Sequence, residues 1–230
     1  MTSSRSTNRS NGQSPTVPSA GGSSRMFILG IVGVVVLGLA VVAFVASGRD
    51  AGPAAADQTA AVQIDGAPLA SMESGFQIID AVGQSAVGSV APTLTGTSYD
   101  GSDVVIEPDG NPKVVYFLAH WCPHCQREVP AIMDLIEGGA LPDGLDVYAV
   151  STAVDSGSPN FPPSAWLESE GVAFPVLRDD ADSSALMAYG PSGFPYAVYL
   201  DGENRVVAQS AGELDPVETE ALWQATAAAG

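Results

Sequence analysis

The sequence has 230 residues, 46% of them hydrophobic, with eight Lys and Arg residues against 26 Asp and Glu and a formal net charge of −18. So acidic a chain is a poor partner for nucleic acid or an anionic lipid surface, and a solvated exterior accounts for the charge. The length allows one catalytic domain with an appendage, and the only two cysteines, Cys122 and Cys125, are too close in sequence for a disulfide that would much restrain the unfolded chain.

Residues 1–25 are rich in Ser, Asn, Gly and Pro, a composition that buries too little apolar surface to offset chain entropy, and they read as a disordered cytoplasmic amino terminus. Residues 26–46 form an uncharged apolar run. At about 1.5 Å per helical residue it is long enough to cross a hydrocarbon core of about 30 Å as a transmembrane helix. Arg5, Arg9 and Arg25 precede it without an acid, whereas Arg49 after it is offset by Asp50 and Asp57, so the remainder of the chain is expected outside the membrane. A cleaved signal peptide competes with this reading, since Ala54-Ala55-Ala56 offers a processing site. The run is longer than a usual signal-peptide core and that site lies well beyond it, which favours a retained anchor. Removing the three leading arginines from eight basic residues leaves five against 26 acids, so the outer portion is more acidic than the whole.

Residues 47–90 read as an extracytoplasmic linker with one short ordered segment at Phe76-Gln77-Ile78-Ile79 and no chemistry of their own. Residues 91–230 read as a single α/β domain. Lys113 leads into an apolar, β-prone run ending at Ala119, and Val129, Ile132, Met133 and Ile136 then fall at i, i+3, i+4 and i+7, so a buried strand feeds a helix. Pro130 inside that helix removes one backbone N–H and is expected to kink it. A strand over 145–151, a short helix over 164–170, a strand over 174–177 and a helix over 182–189 follow, the first two implying a parallel βαβ crossover. A hairpin of 196–200 and 205–210 turns at Asp201-Gly202-Glu203-Asn204, and 215–228 closes the chain as a helix. Gly190-Pro191-Ser192-Gly193 is a turn, and no Gly-rich phosphate loop is present in the sequence.

At the strand-to-helix junction stands Cys122-Pro123-His124-Cys125. Cys125 shares the apolar stripe and is expected to face the core, while Cys122 sits exposed at the helix mouth beside unpaired N–H groups. The helix dipole favours thiolate at Cys122, and His124 adds to that by charge or hydrogen bond. Cys122 is therefore the expected nucleophile and Cys125 the resolving thiol. A metal site is the competing reading, because His120, Cys122, His124 and Cys125 lie within six residues. A strand-to-helix junction sends those side chains in divergent directions, and Cys-x-x-Cys beside a βαβ pattern reads first as a redox motif.

Trp121-Cys122-Pro123-His124-Cys125, preceded by Val115-Tyr116-Phe117-Leu118-Ala119, resembles the active-site segment of the thioredoxin fold. Glu128-Val129-Pro130 resembles the TlpA/ResA-type branch of anchored extracytoplasmic thiol-disulfide oxidoreductases, and Ala91-Pro92-Thr93-Leu94 with Tyr99-Asp100-Gly101 resembles the two opening strands and turn of that branch. The resemblance implies a thioredoxin fold, a central mixed β-sheet flanked by helices. It also implies an enzyme that exchanges disulfides with exported proteins and a membrane redox partner, with no cofactor beyond a Cys122–Cys125 disulfide. Phe194-Pro195 matches the cis-proline position facing the two sulfurs; an ordinary trans proline opening a strand is the alternative. Tyr116 stands where thioredoxins carry a buried acid. Glu128 matches the acid of the ResA-like branch and would relay a proton to or from Cys125, the alternative being a solvated surface glutamate. Direction of electron flow divides the motifs, since relatives with the Glu-x-Pro sequence mostly act as reductants in cytochrome maturation, while Pro123-His124 is the dipeptide of the oxidising DsbA type. The contact-range effect of His124 on Cys122 favours the oxidant, because the acidic surface is largely screened beyond about 8 Å. Some thioredoxin-fold copper proteins keep a metal-delivery reading open beside both.

Overall fold

The structure, a computed structural model, describes residues 58–230 except 74, 76 and 81–83. The expected membrane span at 26–46 lies outside these residues, and among the described residues no helix is long and apolar enough to cross a membrane.

Among the described residues nine strands and four helices follow in chain order: β1 (Gln63–Asp65), β2 (Gln77–Ile79), β3 (Thr93–Thr97), β4 (Asp103–Ile106), β5 (Lys113–Leu118), α1 (Pro123–Glu137), β6 (Asp146–Ser151), α2 (Pro163–Ser169), β7 (Val176–Arg178), α3 (Ser184–Ala188), β8 (Tyr196–Leu200), β9 (Val206–Ala211) and α4 (Pro216–Ala227). Six strands form one mixed sheet in the order β2-β9-β8-β5-β6-β7, with β5, β6 and β7 parallel and the β8 side antiparallel. β1, β3 and β4 form a separate antiparallel sheet.

β5 sits between β6 and β8 with every residue buried, as a strand covered on both faces must be. Its side chains alternate between two cores. Val115 and Phe117 join Leu94, Ile106, Tyr189, Tyr196 and Val198 on one face. Val114, Tyr116 and Leu118 join Val129, Ile132, Tyr199, Leu222 and Trp223 under α1 and α4 on the other. Lys113 at the start of β5 is itself fully buried, and its ammonium donates to Asp109 Oδ1 at 2.8 Å, the Glu107 carbonyl at 2.6 Å and Asn204 Oδ1 at 3.2 Å. Three oxygen acceptors around one cation satisfy the requirement that a buried charge be paired.

The segment expected to be a linker is structured from residue 58. β1 and β2 pair with β3 and β9, and Leu69, Met72, Ala86 and Val87 are buried in the first core. The amides of Leu69 and Met72 donate to the carbonyls of Ala188 and Gly190, and the Ala86 amide donates to buried Gln209 Oε1. The Ala- and Gly-rich composition hid this packing: small residues carry little apolar signal yet allow close backbone approach.

Element ends also differ from expectation. The helix placed at 182–189 is only α3, because Ser183 adopts φ 58°, ψ 40° and cannot continue a right-handed helix. The chain there wraps around two carboxylates. Asp179 accepts from the amides of Ala185 and Leu186, and Asp180 from those of Asp182 and Ser184. The strand expected at 174–177 is shifted to β7. α4 begins as expected, with a reciprocal capping box between Asp215 and Glu218 and Pro216 in its first turn.

Candidate active site

β5 ends at Leu118, and Cys122 caps the amino terminus of α1 with φ −75°, ψ 119° and no side-chain cap bond. The sulfur therefore lies where the first-turn amides of His124 and Cys125 are free to donate to it. Both thiols are free. Hydrogen bonding from the Cys125 thiol, opposed by burial and supported by the Cys125 and His124 amides and more weakly by the charge of His124, lowers the Cys122 pKa to about 5. The same S–H···S contact and burial push the Cys125 thiol far above its ordinary value.

Cys125 is fully buried, as its place on the apolar stripe requires. Cys122 is not exposed as expected: only 6% of its surface is accessible. Its Sγ lies 3.8 Å from the Phe194 carbonyl, and the Phe194 ring meets Trp121 edge-on at 5.8 Å. Residues far along the chain thus cover the helix mouth, which the local helix pattern does not encode. The Phe194–Pro195 bond is cis, and so is Phe161–Pro162, which the sequence did not single out.

The imidazole of His124 meets two charged side chains. Its Nδ1 lies 3.0 Å from Glu213 Oε2 and 2.8 Å from Arg127 Nη2, and Arg127 grips Glu213 through Nε at 3.0 Å and Nη2 at 2.6 Å. The guanidinium and the Glu213 carboxylate thus form a two-pronged, charge-assisted pair with the imidazole edge beside it.

Glu128 is buried, not solvated: 4% of its surface is accessible. Oε1 accepts the Leu214 amide at 3.2 Å, and Oε2 has no hydrogen-bond partner among the described residues. Burial, aided by the negative charges of Glu213 and Cys122 and opposed by the Leu214 amide, raises its pKa to about 8. Tyr116, where thioredoxins carry their acid, accepts a hydrogen bond from Trp223 Nε1 at 2.9 Å and senses the charge of Glu128. A carboxyl thus reaches the vicinity of Cys125 from the helix side instead of the strand side, and its charge is felt at Cys125.

His120, the fourth member of the candidate metal set, is also engaged away from the sulfurs. Its Nδ1 lies 2.8 Å from the Pro159 carbonyl, its Nε2 accepts the Asp155 amide at 3.2 Å, and Phe161 packs on the ring. That pattern fixes one neutral tautomer and occupies both nitrogens. Among the described residues no three His, Cys, Asp or Glu side chains are grouped to hold a metal ion.

Arg127, Glu213 and the Leu214 amide escaped sequence reading. Glu213 lies 86 residues after Arg127, in a short loop between β9 and α4 without any local motif, and only the sheet topology brings it over α1.

A sequence profile described as the AhpC/TSA family matches residues 82–208. Over 139 residues the chain is 28% identical to the "Thiol:disulfide interchange protein DsbE homolog" of Paracoccus denitrificans, covering 59% of this chain and 72% of that protein. It is also 28% identical over 122 residues to "Thiol-disulfide oxidoreductase ResA" of Geobacillus thermodenitrificans, covering 53% of this chain and 67% of that protein. A crystal structure from Chlorobium tepidum, assigned as a thiol:disulfide interchange protein DsbE, superposes with a TM-score of 0.52 at 26% identity over 62% of this chain and 96% of the other.

Proposed function

On the premise that the chain belongs to the AhpC/TSA family of thioredoxin-fold proteins and is a thiol-disulfide oxidoreductase, we propose that Cys122 and Cys125 are its exchanging pair and that it acts as an oxidant of exported protein thiols. The observation that carries this is the placement of the two sulfurs: Cys122 caps α1 within reach of the Cys125 thiol and the first amides, which acidify it, and Cys125 is fully buried beside it, where that same contact and burial do the reverse.

In the oxidising direction a substrate thiolate attacks Sγ of Cys122 in the Cys122–Cys125 disulfide, and Cys125 departs with the bond's electron pair. Cys125 needs a proton at that moment, and the carboxyl of Glu128 supplies it. A second substrate thiolate then attacks the substrate sulfur of the mixed disulfide and releases Cys122 as a thiolate already stabilised by the helix amides. The substrate dithiol has lost two electrons and the protein pair has gained them. No further cofactor enters these steps. Phe194 and Pro195 line the face of Cys122 on which an extended peptide would lie.

A stabilised Cys122 thiolate favours the reduced pair and so makes the disulfide oxidising. Its support is now the helix amides and Cys125, with His124 in a minor part. The reductant reading is favoured by one observation, the buried Glu128, whose ionised form would disfavour thiolates beside it. Equilibration with glutathione buffers decides between them. The oxidant reading expects a potential of about −120 to −200 mV, against about −270 mV for thioredoxin, and a value at or below the latter leaves the reductant. Metal delivery has less support, since His120 and His124 both spend ring nitrogens on other partners.

The same proposal includes an anchor at 26–46 with the domain outside the membrane, supported by the apolar run and the arginines before it. A membrane redox partner would then reoxidise the pair. Protease added to intact protoplasts should digest the domain and spare an amino-terminal tag; a protected domain would overturn this topology.

A further inference from the structure

Cys122 lies at the mouth of a helix that carries two basic side chains one turn apart, His124 and Arg127, on a chain with few basic residues. Both converge on Glu213, and the residue after Glu213 gives its amide to Glu128. One dipeptide of the β9–α4 loop therefore touches the charges outside the helix mouth and the buried carboxyl within. Glu213 lies outside the residues matched by the family profile.

Resting on the assignment of Cys122 and Cys125 as the exchanging pair, we propose that Glu213 is a positioning residue for the exchange: its carboxylate holds Arg127 and His124, offsets the guanidinium charge beside Cys122, and fixes the Leu214 amide on Glu128. The contacts give it both tasks. Arg127 Nη2 at 2.6 Å and the imidazole Nδ1 at 3.0 Å converge on one oxygen, Oε2, while Arg127 Nε reaches both oxygens at 3.0 Å. Such a fork fixes the carboxylate in plane and direction, and hence the loop that bears it. With the loop fixed, the Leu214 amide is aimed at Glu128 Oε1, the one polar partner that buried carboxyl has among the described residues.

Cys125, His124, Arg127 and Glu128 of α1 interact with Cys122 directly; Glu213 of the loop faces Arg127, His124 and Glu128, and Tyr116 of β5 and Tyr199 of β8 face Glu128. Within this set Glu213 opposes Arg127. Taking away the carboxylate leaves an unbalanced cation near the sulfur and favours thiolate, whereas taking away the guanidinium does the reverse. A contact that merely held the fold together would not produce opposite signs.

The test is the pH dependence of Cys122 alkylation in the reduced full chain, with sites read by mass spectrometry. For Glu213→Gln the midpoint should fall by about half a pH unit, roughly threefold in thiolate at a fixed acidic pH, and for Arg127→Gln it should rise by a similar amount. Glu213→Gln should also slow resolution of a mixed disulfide severalfold as the Leu214 amide loses its aim, and Glu213→Asp should restore the wild-type midpoint. If Glu213→Gln fails to fold, Arg127→Gln, a change at an exposed side chain, carries the test alone. An unmoved midpoint in a folded variant, or both midpoints moving the same way, overturns the proposal for Glu213. A wild-type midpoint in the ordinary thiol range instead overturns the assignment of Cys122 on which it rests.

Discussion

At Cys122 and Cys125 one short motif produces two unlike thiols. Alkylation of the reduced protein at pH 6 should modify Cys122 at least tenfold faster than Cys125, because only the former is substantially thiolate there. Equal rates would remove the nucleophile assignment. Glu128 offers a second test, since it is buried with one oxygen unpartnered. Glu128→Gln should slow resolution by Cys125 more than tenfold while leaving the first attack by Cys122 nearly unchanged, which stopped-flow traces with a model disulfide separate. The two groups also act oppositely on stability. The folded pKa of Glu128 is raised to about 8 from 4.5, so the folded state holds the proton more tightly and stability falls as pH rises between those values. The folded pKa of Cys122 is lowered to about 5 from 9.0, so the unfolded state holds that proton and stability rises across the overlapping window. Each alone tilts stability by at most about 1.4 kcal/mol per pH unit. Reduced wild-type protein should therefore show a nearly flat urea midpoint from pH 5 to 8, and Glu128→Gln a rising one; a wild-type profile that rises as the variant's does would return Glu128 to an ordinary titration, and a flat variant would remove the lowered pKa of Cys122.

Among the elements, those that carry the motif were legible and those that complete the site were not. The strand and helix around Cys122 announce themselves by an unbroken apolar run and a helical stripe, both intrinsic to neighbouring residues. The covering of Cys122 by Phe194 and the capture of His124 by Glu213 depend on β8 and the β9–α4 loop arriving beside α1, and no local period records that. α3 failed for the opposite reason: Asp182-Ser183 resembles a helix start, but Asp179 and Asp180 take the first amides from a turn in which Ser183 is left-handed. At the end of that helix Gly190 has φ +69°, and a Cβ there would stand 2.6 Å from the Ala70 carbonyl oxygen. Gly190→Ala should cost more than the ~1 kcal/mol typical of a left-handed glycine alone, since residues 69–72 must also withdraw. Thermal unfolding checks this, and an unchanged midpoint would show that the segment yields freely.

For the molecule as a whole, the motif-bearing pattern in the sequence begins at residue 91, yet the packed body begins earlier. Leu69, Met72, Ala86 and Val87 fill the first core beside Leu94 and Tyr189, with Tyr189 donating its hydroxyl hydrogen to the Pro92 carbonyl at 2.8 Å. A chain cut at residue 91 should be destabilised by several kcal/mol relative to one cut at residue 58, at ~1.5–3 kcal/mol for each large apolar side chain lost from the core. Equal urea midpoints for the two would mean that the segment is carried passively. Lys113 gives the finished body another property. It is the sole lysine in the sequence, and its ammonium is sealed at the base of β5 among Asp109, Glu107 and Asn204. Acylating reagents and lysine-directed cross-linkers therefore find no ε-amine on the folded surface, and modification of Lys113 requires the turns that enclose its ammonium to open. Its acylation rate is a built-in clock for the opening of that end of the molecule, readable from a single peptide and blind to the chemistry of the sulfurs.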